Sequence, residues 1–117
     1  MKLMITIINN PDYIMDIMDE FYKIDIKGST VMDSVGMAHM MAYHVPFFAR
    51  FAEMGDDPGR NKTIFTVVQT DDCLEKAIHA IEKVVGDLNQ PDTGVVMTLP
   101  IDYCKGMGSP EGNEKVK

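Results

Sequence analysis

The chain has 117 residues, a length that suits one domain with its own hydrophobic core. Its formal net charge is −7, which argues against non-specific binding to nucleic acid or to an anionic membrane, because both need a basic surface. The apolar start of the chain breaks at Asn9-Asn10-Pro11, well short of the roughly 20 residues of a membrane span, and no signal-peptide cleavage site follows. We therefore expect a cytoplasmic protein without membrane insertion.

The first half of the chain predicts strand, helix and strand. Residues 3–8 are aliphatic and β-branched, which indicates a buried strand, and Asn10 and Pro11 are typical of a helix start. Apolar side chains then recur at helical spacing: Ile14, Ile17, Met18 and Phe21. Residues 29–37 predict a second strand with mixed faces, and Gly28 is expected to take a left-handed conformation in the turn before it.

Residues 38–61 show neither helical nor strand periodicity, and prolines and glycines interrupt them. A loop of this length inside a small domain is uncommon and is typically functional or disordered. Its methionines and aromatic residues suit an adaptable protein-binding surface. The predicted partner-binding residues of this loop are Tyr43, His44, Phe47, Phe48 and Phe51.

The second half repeats the plan of the first. Residues 62–69 predict a strand, and Thr70 offers a cap to a helix that should end by Gly86. The apolar face of that helix comprises Leu74, Ala77, Ile78, Ile81 and Val85. Turn-forming residues precede a fourth strand at 95–99, and the composition of residues 105–117 predicts a flexible tail.

Two such units predict an α+β fold, a ferredoxin-like βαββαβ sandwich. It has a four-stranded antiparallel sheet, two helices on one face, and a long loop (38–61) between strands 2 and 3. We expect residues 1–104 to form a single domain. The other face of the sheet is left uncovered although its strands are apolar, so self-association is expected to bury it.

Three stretches carry a resemblance to a known family: "IKGSTVMDSVGM" at the second strand, "KTIFTVV" at the third, and "VVGDLNQPDTGVVMTLPI" around the fourth. With the layout, they resemble the nitrogen-regulatory P-II signalling proteins, as a divergent P-II-like member, over about residues 1–100. The resemblance implies a homotrimer that binds an adenine nucleotide such as ATP, ADP or AMP in intersubunit clefts. It also implies that the long loop, the T-loop of that family, regulates a transporter or an enzyme.

The resemblance implies site residues in two parts of the chain. Thr30 matches a strand threonine near the adenine, and the turn after the second helix matches the turn that wraps the phosphates. The implied effector-binding residues are Thr30, Gly36, Met37, Ala38, His39, Leu88, Asn89, Thr93 and Gly94. The basic residues that the family carries in that turn and after the last strand have no counterparts in this sequence.

The sequence also bears on two other chemistries. The order Lys-Gly-Ser-Thr at residues 27–30 precedes a strand and lacks an upstream glycine at the spacing of a Walker phosphate loop. No nucleophile stands beside a plausible acid–base pair, so we expect no enzyme and no catalytic residue. The alternative function is metal binding or metal tolerance on the same trimeric scaffold, with soft-metal ligands at His39, Met40, Met41 and His44.

Overall fold

The computed structural model of the protein describes residues 1–41 and 60–107. The four strands form one sheet in the order β2-β3-β1-β4, and all neighbouring strands are antiparallel. The strands are β1 (Lys2–Ile8), β2 (Ser29–Val35), β3 (Arg60–Val68) and β4 (Gly94–Pro100). The helices are α1 (Ile14–Lys23), the single turn α2 (Met37–Met40) and α3 (Asp71–Val85). This is the predicted α+β fold, with a ferredoxin-like arrangement.

The helices begin where the sequence predicts. The Asn10 side chain accepts a hydrogen bond from the Asp12 backbone N–H at 3.0 Å, and Pro11 opens a short 3-10 turn that leads into α1. The Thr70 hydroxyl accepts from the Cys73 N–H at 3.0 Å and so caps α3. Both caps satisfy backbone donors that the first turn of a helix leaves unpaired.

The end of α1 differs from the prediction. Asp25, with φ 67°, takes the left-handed conformation that was expected of Gly28. The Asp25 N–H bonds to the Tyr22 carbonyl at 3.1 Å, and the Ile26 N–H bonds to the Phe21 carbonyl at 2.9 Å. These two bonds close the helix with a left-handed residue immediately after its end, and a short polar side chain tolerates that conformation.

The sheet has a covered face and an open face. On β1, every second residue from Met4 is fully buried against α1 and α3, whereas the residues between them are only half-buried. The covered face carries Met4, Thr6, Ile8, Ile64, Thr66 and Val68. The helices contribute Ile14, Ile17, Phe21, Ala77, Ala80 and Ile81 to the same core. The hydrophobic core of the described chain therefore lies between this face and the helices.

The bounds of the long loop also differ from the prediction. The second strand ends at Val35 because the Gly36 carbonyl accepts from the Met40 N–H at 3.2 Å, which starts the helical turn α2. At the other end, Arg60 pairs with Val35 and Asn61 with Ser34, so both residues belong to β3. The predicted partner-binding residues between 43 and 51 and the tail from 108 lie outside the described residues.

Candidate functional site at the sheet edges

The first set of predicted effector residues comprises Thr30, near the start of β2, and residues 36–39, which directly follow the strand. Thr30 is exposed on the open face of β2, and Gly36 directly follows the strand. Met37, Ala38 and His39 belong to α2. The Met41 N–H bonds to the Met37 carbonyl at 2.9 Å, so this short turn holds the chain as it leaves the sheet.

The second set lies in the turn between α3 and β4. The helix ends at Val85, and its C-cap residue Gly86 takes a φ of 90°. The Leu88 N–H then bonds to Glu82 Oε2 at 2.9 Å. The Asn89 N–H bonds to Asp87 Oδ1 at 2.9 Å. Leu88 packs against the core, whereas Asn89 is exposed. The Glu82 side chain of α3 and the Asp87 side chain of the turn therefore fix the backbone of the turn, and the amide side chains of Asn89 and Gln90 remain on the surface.

Thr93 joins this turn to the top of the sheet. Its carbonyl accepts from the Asn9 N–H at 3.2 Å, immediately beyond the pair that Ile8 forms with Gly94. A Cβ atom at Gly94 would lie 2.6 Å from the Ile7 carbonyl oxygen. A residue with a side chain would therefore force the backbone apart, which explains glycine at this position.

The structure places residues 36–39 and the turn before β4 at the same end of the sheet but on opposite edges, whereas Thr30 lies toward the other end of β2. β1 and β3 lie between β2 and β4, so with strands about 4.8 Å apart the two edges are separated by about 14 Å. Gly36 and Gly94 therefore do not meet within one chain.

The electrostatics of the β2 end include two cations that the sequence reasoning missed. Lys62 on β3 contacts Asp33 directly across the strand pair. The hydrogen bond from Lys62 is the main cause that lowers the pKa of the Asp33 carboxyl, and the charge of Arg60 acts in the same direction. Arg60 and Lys62 thus place two cations, one of them paired with Asp33, beside the end of β2 and residues 36–39. The signal that could have found them is the β2–β3 register, which places both opposite the end of β2.

Polar side chains also join β2 to β3 on the open face. Ser34 Oγ lies 2.8 Å from Thr63 Oγ1, and it also contacts the Asn61 side chain. Thr63 is buried. This network and the Asp33–Lys62 pair hold the two strands together on both faces, at the point where the chain leaves the sheet for residues 42–59.

Most of the open face is apolar. Its hydrophobic side chains are Leu3, Ile5, Ile7, Met32, Phe65, Val67, Val95, Met97 and Leu99. Those on the edge strands are the most exposed: 44% for Met32, 43% for Met97 and 50% for Leu99. A contiguous apolar surface of this kind usually marks an interaction site.

A separate groove of about 520 Å³ runs between α1 and α3 on the outer side of the helices. Glu20 lies in it between two cations, at 3.0 Å from Lys23 Nζ and 3.3 Å from Lys83 Nζ. The hydrogen bond from Lys23, followed by that from Lys83, lowers the pKa of the Glu20 carboxyl. No predicted effector residue lines this groove.

Of the alternative metal ligands, Met40 is exposed at the end of α2, Met41 follows it, and His44 lies outside the described residues. Within residues 1–41 and 60–107, no three His, Cys, Asp or Glu side chains are grouped to hold a metal ion. Cys73 and Cys104 are both free thiols. Among the described helices, none has the length and apolar character to cross a membrane.

Comparison with protein-family models yields no match to this chain, and comparison with curated protein sequences yields none either.

Proposed function

We propose that the protein is a P-II-like regulatory protein that acts as a homotrimer. It binds a small effector, such as an adenine nucleotide, between copies, and it regulates a transporter or an enzyme through residues 38–60. The observation that carries the proposal is the position of two groups of predicted effector residues, 36–39 and 88–94, at one end of the sheet, on opposite edges. Neighbouring copies can bring these sets together, whereas a single copy cannot.

The open face supports assembly. Removing apolar surface from water is worth about 25 cal/mol per Å², and the open face presents aliphatic and aromatic side chains from all four strands. Three copies that direct this face toward a common axis would bury it. Assembly and effector binding would then depend on the same contacts.

Arg60 and Lys62 support an anionic effector. The nucleotide phosphates need compensating charge in a site of low dielectric, and the turn at residues 87–94 is acidic. The two cations lie beside the end of β2, where the resemblance places the effector. If the effector contacts residues 36–40 in only one arrangement of the following segment, binding would increase the population of that arrangement. Effector binding would thereby change how the protein interacts with its partner.

Isothermal titration calorimetry with ATP, ADP, AMP and cyclic AMP tests the effector class. At least one of these nucleotides should bind, and Arg60→Gln should weaken it about tenfold, because a hydrogen bond to a charged group contributes about 1.5–3 kcal/mol. Lys76→Gln is the matched control: Lys76 lies on α3 in an exposed ion pair with Asp72 and should bind as the wild type does. Absence of binding to all four nucleotides contradicts the proposed effector class.

Sedimentation velocity tests the assembly. The wild-type protein should sediment as a trimer, and Leu99→Lys should shift it toward monomers, because a lysine would place charge on the open face. Met15→Lys is the control, since Met15 is 68% exposed on α1, away from that face. A wild-type protein that is monomeric at every concentration would refute the proposed function.

A further inference from the structure

One side of α1 carries apolar side chains in a line that the core buries only in part. Met15, Met18 and Tyr22 recur at i, i+3 and i+7, so they follow one another along the same side of the helix. Met15 is 68% exposed and Tyr22 is 66% exposed, whereas Met18 is partly buried against the core. We name this line the α1 stripe. It extends over about 10 Å, since each residue of a helix adds 1.5 Å.

The α1 stripe points away from α3. Glu20 lies on the flank of α1 that faces α3, because it pairs with Lys83 of that helix at 3.3 Å. Successive residues of a helix are rotated by about 100°, which places Met15 and Tyr22 roughly 150° around the axis from Glu20. The groove between the two helices therefore lies on one flank of α1, and the stripe lies on the opposite flank.

Aspartates border the α1 stripe on its outer side. Asp12 and Asp19 lie three and four positions from Met15, so their carboxylates are neighbours of its side chain. Asp16, between them along the chain, is also exposed. Within the described residues, none of these three aspartates forms an ion pair, in contrast to Glu20. The N-terminal two turns of the stripe thus combine apolar surface with uncompensated negative charge.

The C-terminal end of the stripe has a cation of its own. Lys27 Nζ lies 5.2 Å from the centre of the Tyr22 ring and 3.7 Å from the Asp25 carboxylate. A second cation at this end would meet the charge of Lys27. Cationic groups of a bound molecule would therefore lie against the N-terminal end of the stripe, where the three aspartates are.

Charge also distinguishes between the molecules that could cover this surface. The aspartates repel nucleic acid and an anionic membrane. A second copy that packed its own α1 stripe here would bring the same aspartates together, in a chain whose net charge is already −7. A partner with an apolar side bordered by lysine or arginine satisfies both parts of the surface, and tyrosine and methionine are common in protein interfaces.

We propose that the α1 stripe is a docking surface for a basic amphipathic helix of another protein. The apolar side of that helix covers Met15, Met18 and Tyr22, and its cationic side chains lie against Asp12 and Asp19. Such a contact weakens as salt is added, because the charges at its border are exposed to solvent. The surface is separate from residues 36–40 and 88–94, so the inference goes beyond the proposed function.

Fluorescence anisotropy with synthetic peptides tests the chemistry of the partner. The probe is a labelled helical peptide of about 18 residues with leucines at helical spacing and lysines beside them, and the matched peptide has glutamates in place of the lysines. The lysine peptide should bind at least tenfold more tightly than the glutamate peptide. Met15→Ser should weaken its binding about fivefold, whereas Met15→Leu should retain it, because leucine keeps the apolar surface.

A charge substitution tests the border of the stripe. Asp19→Asn should weaken binding of the lysine peptide about threefold and should reduce its dependence on salt. Glu75→Gln removes one exposed negative charge from α3 and should change neither quantity. Equal weakening by both substitutions would mean that the peptide responds only to the net charge of the protein, and it would overturn the inference.

NMR of the methionine methyl groups locates the bound peptide. The signals of Met15 and Met18 should shift when the lysine peptide is added, whereas those of Met32 and Met97 on the open face should not. Shifts confined to Met32 and Met97 would place the peptide on the open face and overturn the inference.

Two further outcomes would contradict docking at the α1 stripe. One is that the lysine peptide does not bind, or binds no better than the glutamate peptide. The other is weaker self-association of Met15→Ser in sedimentation, because a second copy would then cover the stripe. Binding that maps to Met15 and Met18 and depends on Asp19 supports the inference. The nucleotide titrations test the proposed function independently, since no predicted effector residue belongs to the stripe.

Discussion

The covered and open faces of the sheet are made by the same strands and have similar apolar content. Ile8 is fully buried, whereas Ile7, one position earlier on β1, is only half-buried. On β4, Leu99 remains half exposed. The difference arises because α1 and α3 both lie on one side of the sheet. A strand that is apolar on both sides therefore indicates two layers, of which the described residues supply one.

The largest expected effect is on the free energy of unfolding, and it distinguishes a residue on the covered face from one on the open face. Ile8→Ala should lower the free energy of unfolding by about 2–5 kcal/mol, because it leaves a cavity in a core that the helices close. Ile7→Ala changes the same residue type on the same strand and should cost clearly less at low protein concentration. Urea unfolding of both variants is the measurement. Equal losses would mean that the two faces do not differ in packing.

Substitution of Gly94 tests how closely β4 packs against β1 at this edge of the sheet. A Cβ there would lie 2.6 Å from the Ile7 carbonyl oxygen and 3.2 Å from the Ile8 side chain, so Gly94→Ala should cost about 1–3 kcal/mol. Gly28→Ala is the control, because no atom of the described chain lies within 4 Å of its added Cβ. Thermal or urea unfolding compares them. An unchanged Gly94→Ala would show that the edge can relax.

A smaller change in stability is expected when a hydroxyl group on the covered face is removed. Thr6 is fully buried, and its Oγ1 has no hydrogen-bond partner among the described residues. Thr6→Val should therefore raise the free energy of unfolding by about 1 kcal/mol, since it removes an unsatisfied polar atom. Thr66→Val should have the opposite sign, because the Thr66 hydroxyl lies 2.8 Å from Ser29 Oγ. A destabilised Thr6→Val would indicate a missing partner for that hydroxyl.

The smallest effect concerns the outer side of the helices. Because the hydrogen bond from Lys23 lowers the folded pKa of Glu20, the contribution of this carboxyl to stability is present above the ordinary pKa that it has in the unfolded chain. That contribution is lost as the pH falls through the folded pKa. Glu20→Gln should flatten the dependence of stability on pH in this acidic range, and Lys23→Met should flatten it partly. Unfolding curves between pH 7 and pH 2 measure both; a wild-type profile in Glu20→Gln would show that this carboxyl is not a source of the pH dependence.

The fold could be predicted from the sequence because each signal that indicates a helix or a strand lies within a short stretch of residues. Asn10 and Thr70 cap their own helices, and the spacing from Ile14 to Phe21 marks one helical face. The helical turn at Met37–Met40 was missed, since four residues are too few to show a period. Asp25 was missed because glycine is the usual left-handed residue after a helix.

The candidate site could be predicted only in part. Gly36 and Gly94 stand out in the sequence, but their separation depends on the strand order. Arg60 and Lys62 lie far along the chain from Asp33, and the β2–β3 register determines that they meet. A shift of one residue would direct Lys62 to the other face, so charge at this site follows from the register and not from the local sequence.

The cross-strand contacts at the end of β2 also affect how far the number of residues between β2 and β3 can change. The contacts of Ser34 with Thr63 and of Asp33 with Lys62 hold together the end of β2 and the start of β3, between which residues 36–59 run. The entropy cost of joining two fixed points by a stretch of chain grows only slowly, by about 0.6 kcal/mol for each doubling of its length. We therefore expect changes in the number of residues between these two anchors to leave the sheet intact.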